Sequence, residues 1–137
     1  MLMEDFKKID MKIFLICPVR GVTEEEKETI KKYVSNFESA GHNVYWPFRD
    51  TDQKDEIGYR ICSDNRRHIS EADEIHIWWN GKSEGSVFDF GMAFMLLLFM
   101  PDKSIVLANP EMVQDTPHKS FANVLKTLYD WNNLKSK

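Results

Sequence analysis

A chain of 137 residues that is 42% hydrophobic and 29% charged is long enough to bury the core of a single domain over residues 1–137, and too apolar for a disordered tail. Its net charge of −4 argues against a sequence-independent nucleic-acid binder, which needs a basic face. The longest apolar run, residues 92–100, is about half of what a membrane span requires. The expectation is therefore a soluble protein with neither a membrane nor a nucleic-acid polymer among its partners.

The first six residues are too acidic to read as a signal peptide, and residues 1–11 show no period, as a mobile lead-in or a short turn would. Cys17 and Cys62 lack CxxC spacing and paired histidines. Two reduced thiols in the cytoplasm fit better than one disulfide. Residues 12–17 form a continuous apolar run stopped by Pro18, which is how a strand covered on both faces reads. Thr23-Glu24-Glu25-Glu26 is a capping box. Ile30, Tyr33, Val34 and Phe37 follow at helical spacing, and Gly41 closes that helix.

Residues 43–46 are a second short strand stopped by Pro47, and residues 48–55 a polar, acidic loop placed to overhang a site. Ile57, Ile61 and Ile69, with Cys62 and Ala72, predict a helix over 55–71. Residues 74–79 are a third strand, 83–100 an apolar helix ended by Pro101-Asp102, and 104–109 a fourth strand. Phe121, Val124, Leu125 and Leu128 mark a last amphipathic helix. Alternating strands and helices mean an α/β fold with a parallel sheet and helices on both faces. At this length the expected architecture is a flavodoxin-like (Rossmann-like) three-layer sandwich of four to five strands, ordered 2-1-3-4(-5). Its switch point lies between strands 1 and 3, where ligands bind beyond the carboxyl ends.

Two Gly-bearing loops fall there, Pro18-Val19-Arg20-Gly21 and residues 80–86. Gly85 lets backbone approach a ligand, and Ser83 and Ser86 add hydroxyls at a helix N-terminus that attracts anions. Ser is also a favoured N-cap, so capping and phosphate binding both fit. Arg20 suits a phosphate as a bidentate partner, and equally an ordinary surface position. Asp89, one turn into the apolar helix, is either a solvated acidic residue favoured by the helix dipole or a site carboxylate, nucleophile or base. Trp46, Trp78 and Trp79 serve either to stack on a base or to pack the core. Cys17 and Arg20 are too close for a cysteine-phosphatase loop, no P-loop motif is present, and His42, His76 and His118 have no metal-ligand spacing.

Gly85-Ser86-Val87-Phe88-Asp89-Phe90-Gly91-Met92-Ala93 resembles the Gly-Ser/Thr-x-x-Glu-x-Gly-x-Ala motif of the nucleoside 2-deoxyribosyltransferase superfamily, which includes nucleoside 5′-monophosphate N-glycosidases. Val19-Arg20-Gly21 is similar to the glycosidases' Ile-Arg-Gly loop. Ile69-Ser70-Glu71-Ala72-Asp73 is similar to the family's Ile/Leu-x-x-Ala-Asp segment, and the likeness spans roughly residues 12–110. It implies a small-molecule nucleoside or nucleotide as partner and a homodimer or higher homo-oligomer; no cofactor and, from the histidine spacing, no metal are expected.

In the chemistry it implies, Asp89 attacks the anomeric carbon. Arg20, Gly21, Ser83 and the Gly85 and Ser86 amides hold a 5′-phosphate, and a covalent glycosyl-enzyme passes to water or a second base. Two positions depart from the pattern. Asp89 stands for Glu, which draws the carboxylate back by about 1.5 Å. Asn65 stands at the family's second catalytic Asp and can bond a sugar or base but not donate a proton as an acid would. Asp64 or His68 substitutes for it if the register shifts. Asn132-Asn133-Leu134-Lys135 offers no carboxylate clamp for a free 5′-hydroxyl, which favours the monophosphate. Cleavage or transfer at an N-glycosidic bond is the leading expectation. A nucleotide-binding or sensing module of the same fold with impaired catalysis is the alternative. The expected subunit interface is an exposed face of the 92–100 helix, since so apolar a segment exceeds what one core face needs.

Overall fold

The computed structural model describes residues 10–135, with side chains described through residue 131. The readings of residues 1–9 and of the side chains of 132–135 lie outside the described residues. Four strands, β1 (Lys12–Ile16), β2 (Asn43–Tyr45), β3 (Glu74–Ile77) and β4 (Ser104–Leu107), pair in parallel in the order β2-β1-β3-β4. No fifth strand occurs among the described residues. The helices are α1 (Glu24–Ser39), the one-turn α2 (Pro47–Asp50), α3 (Tyr59–Glu71), α4 (Glu84–Phe99) and α5 (Phe121–Lys135), with a 3-10 turn at Pro110–Met112. The flavodoxin-like α/β sandwich expected from the pattern is the observed fold. No helix among the described residues is long and apolar enough to cross a membrane.

Strand side chains divide between the two faces with period two. Ile13, Leu15 and Cys17 pack with Ile30, Val34, Val44, Trp46 and Trp78 under α1. Phe14, Ile16, Ile75 and Ile77 pack with Ile69, Phe90, Ala93 and Leu125 under α3, α4 and α5. Each fully buried Ile or Phe contributes roughly 1.5–3 kcal/mol. The helices take opposite faces because the chain runs outward from β1 to β2 and then back across β1 to β3. That reversal opens the crevice between the carboxyl ends of β1 and β3.

Helix ends follow the expected chemistry with three differences, the first being that Glu26 does not close the capping box. Thr23 caps α1 by accepting from Glu26 N at 3.0 Å, while the Glu26 carboxylate accepts from Trp78 Nε1 at 3.4 Å. Gly41, at φ +99°, closes α1 in a Schellman turn, with His42 N donating to Phe37 O and Gly41 N to Glu38 O.

The stretch read as a loop from residue 48 opens with α2, which Pro47 starts and Asp50 secures by accepting from Trp46 N. The helix expected from 55 begins at Tyr59 instead. Gly58 is left-handed at φ +91°, and Asp55 stays outside the helix as an acceptor for the N–H groups of Arg60 and Ile61. These bonds hold the Asp55 carboxyl below its ordinary value, the one from Ile61 most strongly.

Candidate active site

Two loops reach the crevice. After β1, Cys17 and Pro18 are buried, and the chain then surfaces at Arg20 and Gly21. Gly21, at φ +69°, is where that turn demands glycine. Arg20 is exposed and has no hydrogen bond or ion pair among the described residues. After β3, Asn80 accepts from Lys82 N at 2.8 Å, Gly81 turns the chain at φ +76°, and Ser83 caps α4.

The two serines separate here. Ser83 Oγ accepts from Ser86 N at 3.1 Å, a plain N-cap. Ser86 is 3% exposed, and its hydroxyl has no partner among the described residues. An unpartnered buried hydroxyl costs about 1–3 kcal/mol. Gly85 is exposed, and a Cβ there would meet nothing closer than Ser83 Oγ at 3.9 Å. Packing does not demand glycine at that position.

Asp89 lies one turn into α4, on the face that also buries Ser86, Phe90 and Ala93. It is 9% exposed, and no ion pair among the described residues compensates it. Its hydrogen bond comes from Asn65 Nδ2 on α3, at 3.4 Å. Burial pushes the Asp89 carboxyl up to about 7, and the Asn65 bond pulls the other way. Asp89 is thus neither the solvated helix-dipole residue nor half of a salt bridge. It is a buried carboxylate poised near neutrality at the switch point.

Of the neighbouring α3 residues, Asn65 is the one that turns inward, at 6% exposure. Asp64 faces out and pairs with Arg60 Nη1 at 2.9 Å. His68 stacks on Tyr45, ring centroids 3.7 Å apart, and burial lowers its pKa. Both cysteines are free. Burial pushes the Cys17 thiol up to about 12 and raises Cys62, with the Asp89 charge adding to each. Neither is a thiolate nucleophile. Trp46, Trp78 and Trp79 are each 6% exposed and belong to the core. A cavity of about 180 Å³ beside Lys12, Asn43, Tyr45 and His68 opens at the amino ends of β1 and β2, the far end of the sheet from Asp89.

Two polar residues on the Asp89 side of the molecule are absent from the expected site. Asn109, fully buried, accepts from Trp79 N at 2.9 Å and donates to Trp79 O at 2.8 Å, tying the end of β4 to that of β3. Thr51, 5% exposed, donates to Asn65 Oδ1 at 3.0 Å. A polar residue closing an apolar strand was the signal available for Asn109. Thr51 had none, since it sits in a run of polar loop residues.

No protein-family model matches this chain, and no curated protein matches it by sequence. Its fold is similar to that of a solved structure described as a 2-deoxyribosyltransferase from the psychrotolerant bacterium Bacillus psychrosaccharolyticus. The TM-score is 0.56 at 19% identity, over 83% of this chain and 90% of that one. At that identity the likeness speaks for the fold.

Proposed function

We propose that this protein cleaves or transfers at the N-glycosidic bond of a (deoxy)nucleoside, preferably a 5′-monophosphate, with Asp89 as the nucleophile. The observation that carries this reading is the placement of Asp89. It is a buried carboxylate without a cation, held by one amide, at the crevice where this fold binds ligands. A fold shared with a 2-deoxyribosyltransferase supports it.

In the reaction an Asp89 oxygen forms a bond to the anomeric carbon. The C–N bond breaks with its electron pair leaving on the base, and water or a second base then displaces the carboxylate. Arg20, Gly21, Ser83, Gly85 and Ser86 form the phosphate end. Arg20 has a free guanidinium, Ser86 an unspent hydroxyl, and α4 directs its N-terminus there. Asn65 positions the substrate beside the nucleophile. Free base released from a panel of nucleotides tests the reading, and an Asp89→Ala variant as active as wild type would remove it. Arg20→Ala should raise KM for a monophosphate about ten- to a hundredfold and leave that for the nucleoside unchanged.

One observation favours a second reading, a nucleotide-binding module without turnover. Asn65 cannot protonate a departing base, and Asp64 is engaged by Arg60. Tight nucleotide binding with no base released under any condition would decide for it.

Self-association is part of the proposal. Phe88, Phe94, Met95, Leu98 and Phe99 are each more than half exposed along α4, a contiguous apolar face of the kind that marks an interface, and a homodimer or higher homo-oligomer would cover it. The two free cysteines fit the reducing cytoplasm.

A further inference from the structure

Asp89 does not end its hydrogen-bonded chain at Asn65. Asn65 Oδ1 accepts from Thr51 Oγ1 at 3.0 Å, and Thr51 Oγ1 lies 2.7 Å from Tyr45 Oη. The directions follow from the groups. An ionised carboxylate only accepts, so the Asn65 NH₂ faces Asp89 and its oxygen faces Thr51. The Thr51 proton is then committed to Asn65, and the Tyr45 hydroxyl donates to Thr51. Every donor in Tyr45–Thr51–Asn65–Asp89 points toward the carboxylate, the arrangement in which successive bonds polarise one another.

The chain is also fixed at its far members. Thr51 N donates to Pro47 O at 3.0 Å, and Gln53 Nε2 bridges Pro47 O and Thr51 O. Arg60 Nη2 holds the carbonyls of Asp52 and Lys54, so the loop is bound to the start of α3. Tyr45 is clamped between Phe14 and His68 by stacking.

We propose that Thr51 is a positioning residue for Asp89. Its hydroxyl, backed by Tyr45, locks the Asn65 amide in the orientation that donates to the carboxylate. This rests on Asp89 as the working carboxylate. Without the Thr51 hydroxyl the Asn65 oxygen has no donor to hold it, and the amide is free to turn that oxygen toward Asp89. An ionised Asp89 would then face a lone pair instead of an N–H.

The test reads Asp89 directly by carboxyl ¹³C NMR titration of the free protein, which requires no turnover. Among the described residues the Asp89 charge acts on the Cys17 and Cys62 thiols, which burial shifts away from ionisation, and the causes of the shift of Asp89 itself are burial and the Asn65 bond, so the midpoint belongs to the carboxyl. Thr51→Val should move the midpoint upward, leaving Asp89 ~3- to 10-fold less ionised below pH 6. Thr51→Ser should restore the wild-type midpoint. Tyr45→Phe, which removes one half-buried hydroxyl, should give a smaller shift in the same direction and stands in if Thr51→Val does not fold. A wild-type midpoint in a folded Thr51→Val, or an equal shift in Thr51→Ser, overturns the proposal. Where base release is measurable, Thr51→Val should lose rate at pH 6 and converge on wild type at pH 9. Absence of base release in the wild type would count against the glycosidic reading and leave the titration standing. An unmoved midpoint in an active enzyme would count against the relay alone.

Discussion

The two faces of the sheet each bury a polar chain, and the two chains end differently. Under α1, His76 is 1% exposed. Its Nε2 lies 2.9 Å from the Glu74 carboxylate, which as an acceptor takes that N–H, and its Nδ1 lies 2.5 Å from the Tyr33 hydroxyl. Phe37 packs edge-on against the ring. Burial, with the Glu74 charge behind it, raises the Tyr33 pKa and keeps it a donor. Both ring nitrogens are satisfied, the negative charge sits on the half-buried Glu74 near solvent, and nothing is left over. Under α3 and α4 the chain from Tyr45 runs inward and terminates on a carboxylate held by one long bond, on the same buried helix face as a serine hydroxyl with no partner among the described residues. A closed network is what a fold needs to bury polar groups without loss. An open one, ending on a buried carboxylate at the switch point, is what the proposed substrate would complete.

The largest effect that separates the two networks is on chemistry. Asp89→Ala should lower base release on the order of a thousandfold or more, whereas His76→Phe should leave it unchanged, both read by chromatography of the released base. The rate should rise as pH passes through about 7, where burial sets the Asp89 carboxyl, because the proposed nucleophile is the charged form.

Stability should run the other way. The folded pKa lies above the unfolded value of 3.8, so the native state holds the proton more tightly and stability declines as pH rises from about 4 to 7. Asp89→Asn removes that term. Relative to wild type it should gain steadily across this interval, by at most about 4 kcal/mol at pH 8, as measured by urea denaturation at each pH. A flat difference between the two proteins would mean that Asp89 is not strained by burial. It would then resemble the closed network more than the open one.

The contrast was only partly legible in the chain. Sheet order and crevice followed from the apolar runs and turn residues, because period and punctuation are local properties. Asp89 stood out as a charge on an apolar helix for the same reason. Asn65 was singled out by the register of the resemblance, but its bond to Asp89 was not, and whether Ser83 or Ser86 was the cap depended on where α4 began. Thr51 was invisible, since its role rests on a side chain fourteen positions later and no local pattern encodes that meeting. The early start assigned to α3 had a related cause. Asp55 does cap that helix, but from outside it and across the left-handed Gly58.

A smaller effect probes the closed network. His76→Phe keeps the ring's shape beside Phe37 and removes both nitrogens, leaving the Tyr33 hydroxyl and the Glu74 carboxylate to find water at their half-buried positions. The cost should be about 1–3 kcal/mol in thermal or urea unfolding, with the Asp89 titration unmoved. A shifted Asp89 midpoint in that variant would show that the two faces communicate through β3 and are not separate systems.

The smallest effect on the monomer, and the sharpest on the comparison, comes from the outer face of α4. Leu98 is 74% exposed, so Leu98→Glu should change monomer stability by no more than about 0.5 kcal/mol while abolishing self-association in sedimentation velocity. Tyr45, Thr51, Asn65 and Asp89 all belong to one chain and meet on the opposite, buried side of the helix. The Asp89 midpoint should therefore be the same in Leu98→Glu as in the wild type, whose self-association is part of the proposal. A midpoint that moved on dissociation would mean that a second copy contributes to the surroundings of the carboxylate. The open end of the network would then be completed by the partner subunit as well as by substrate.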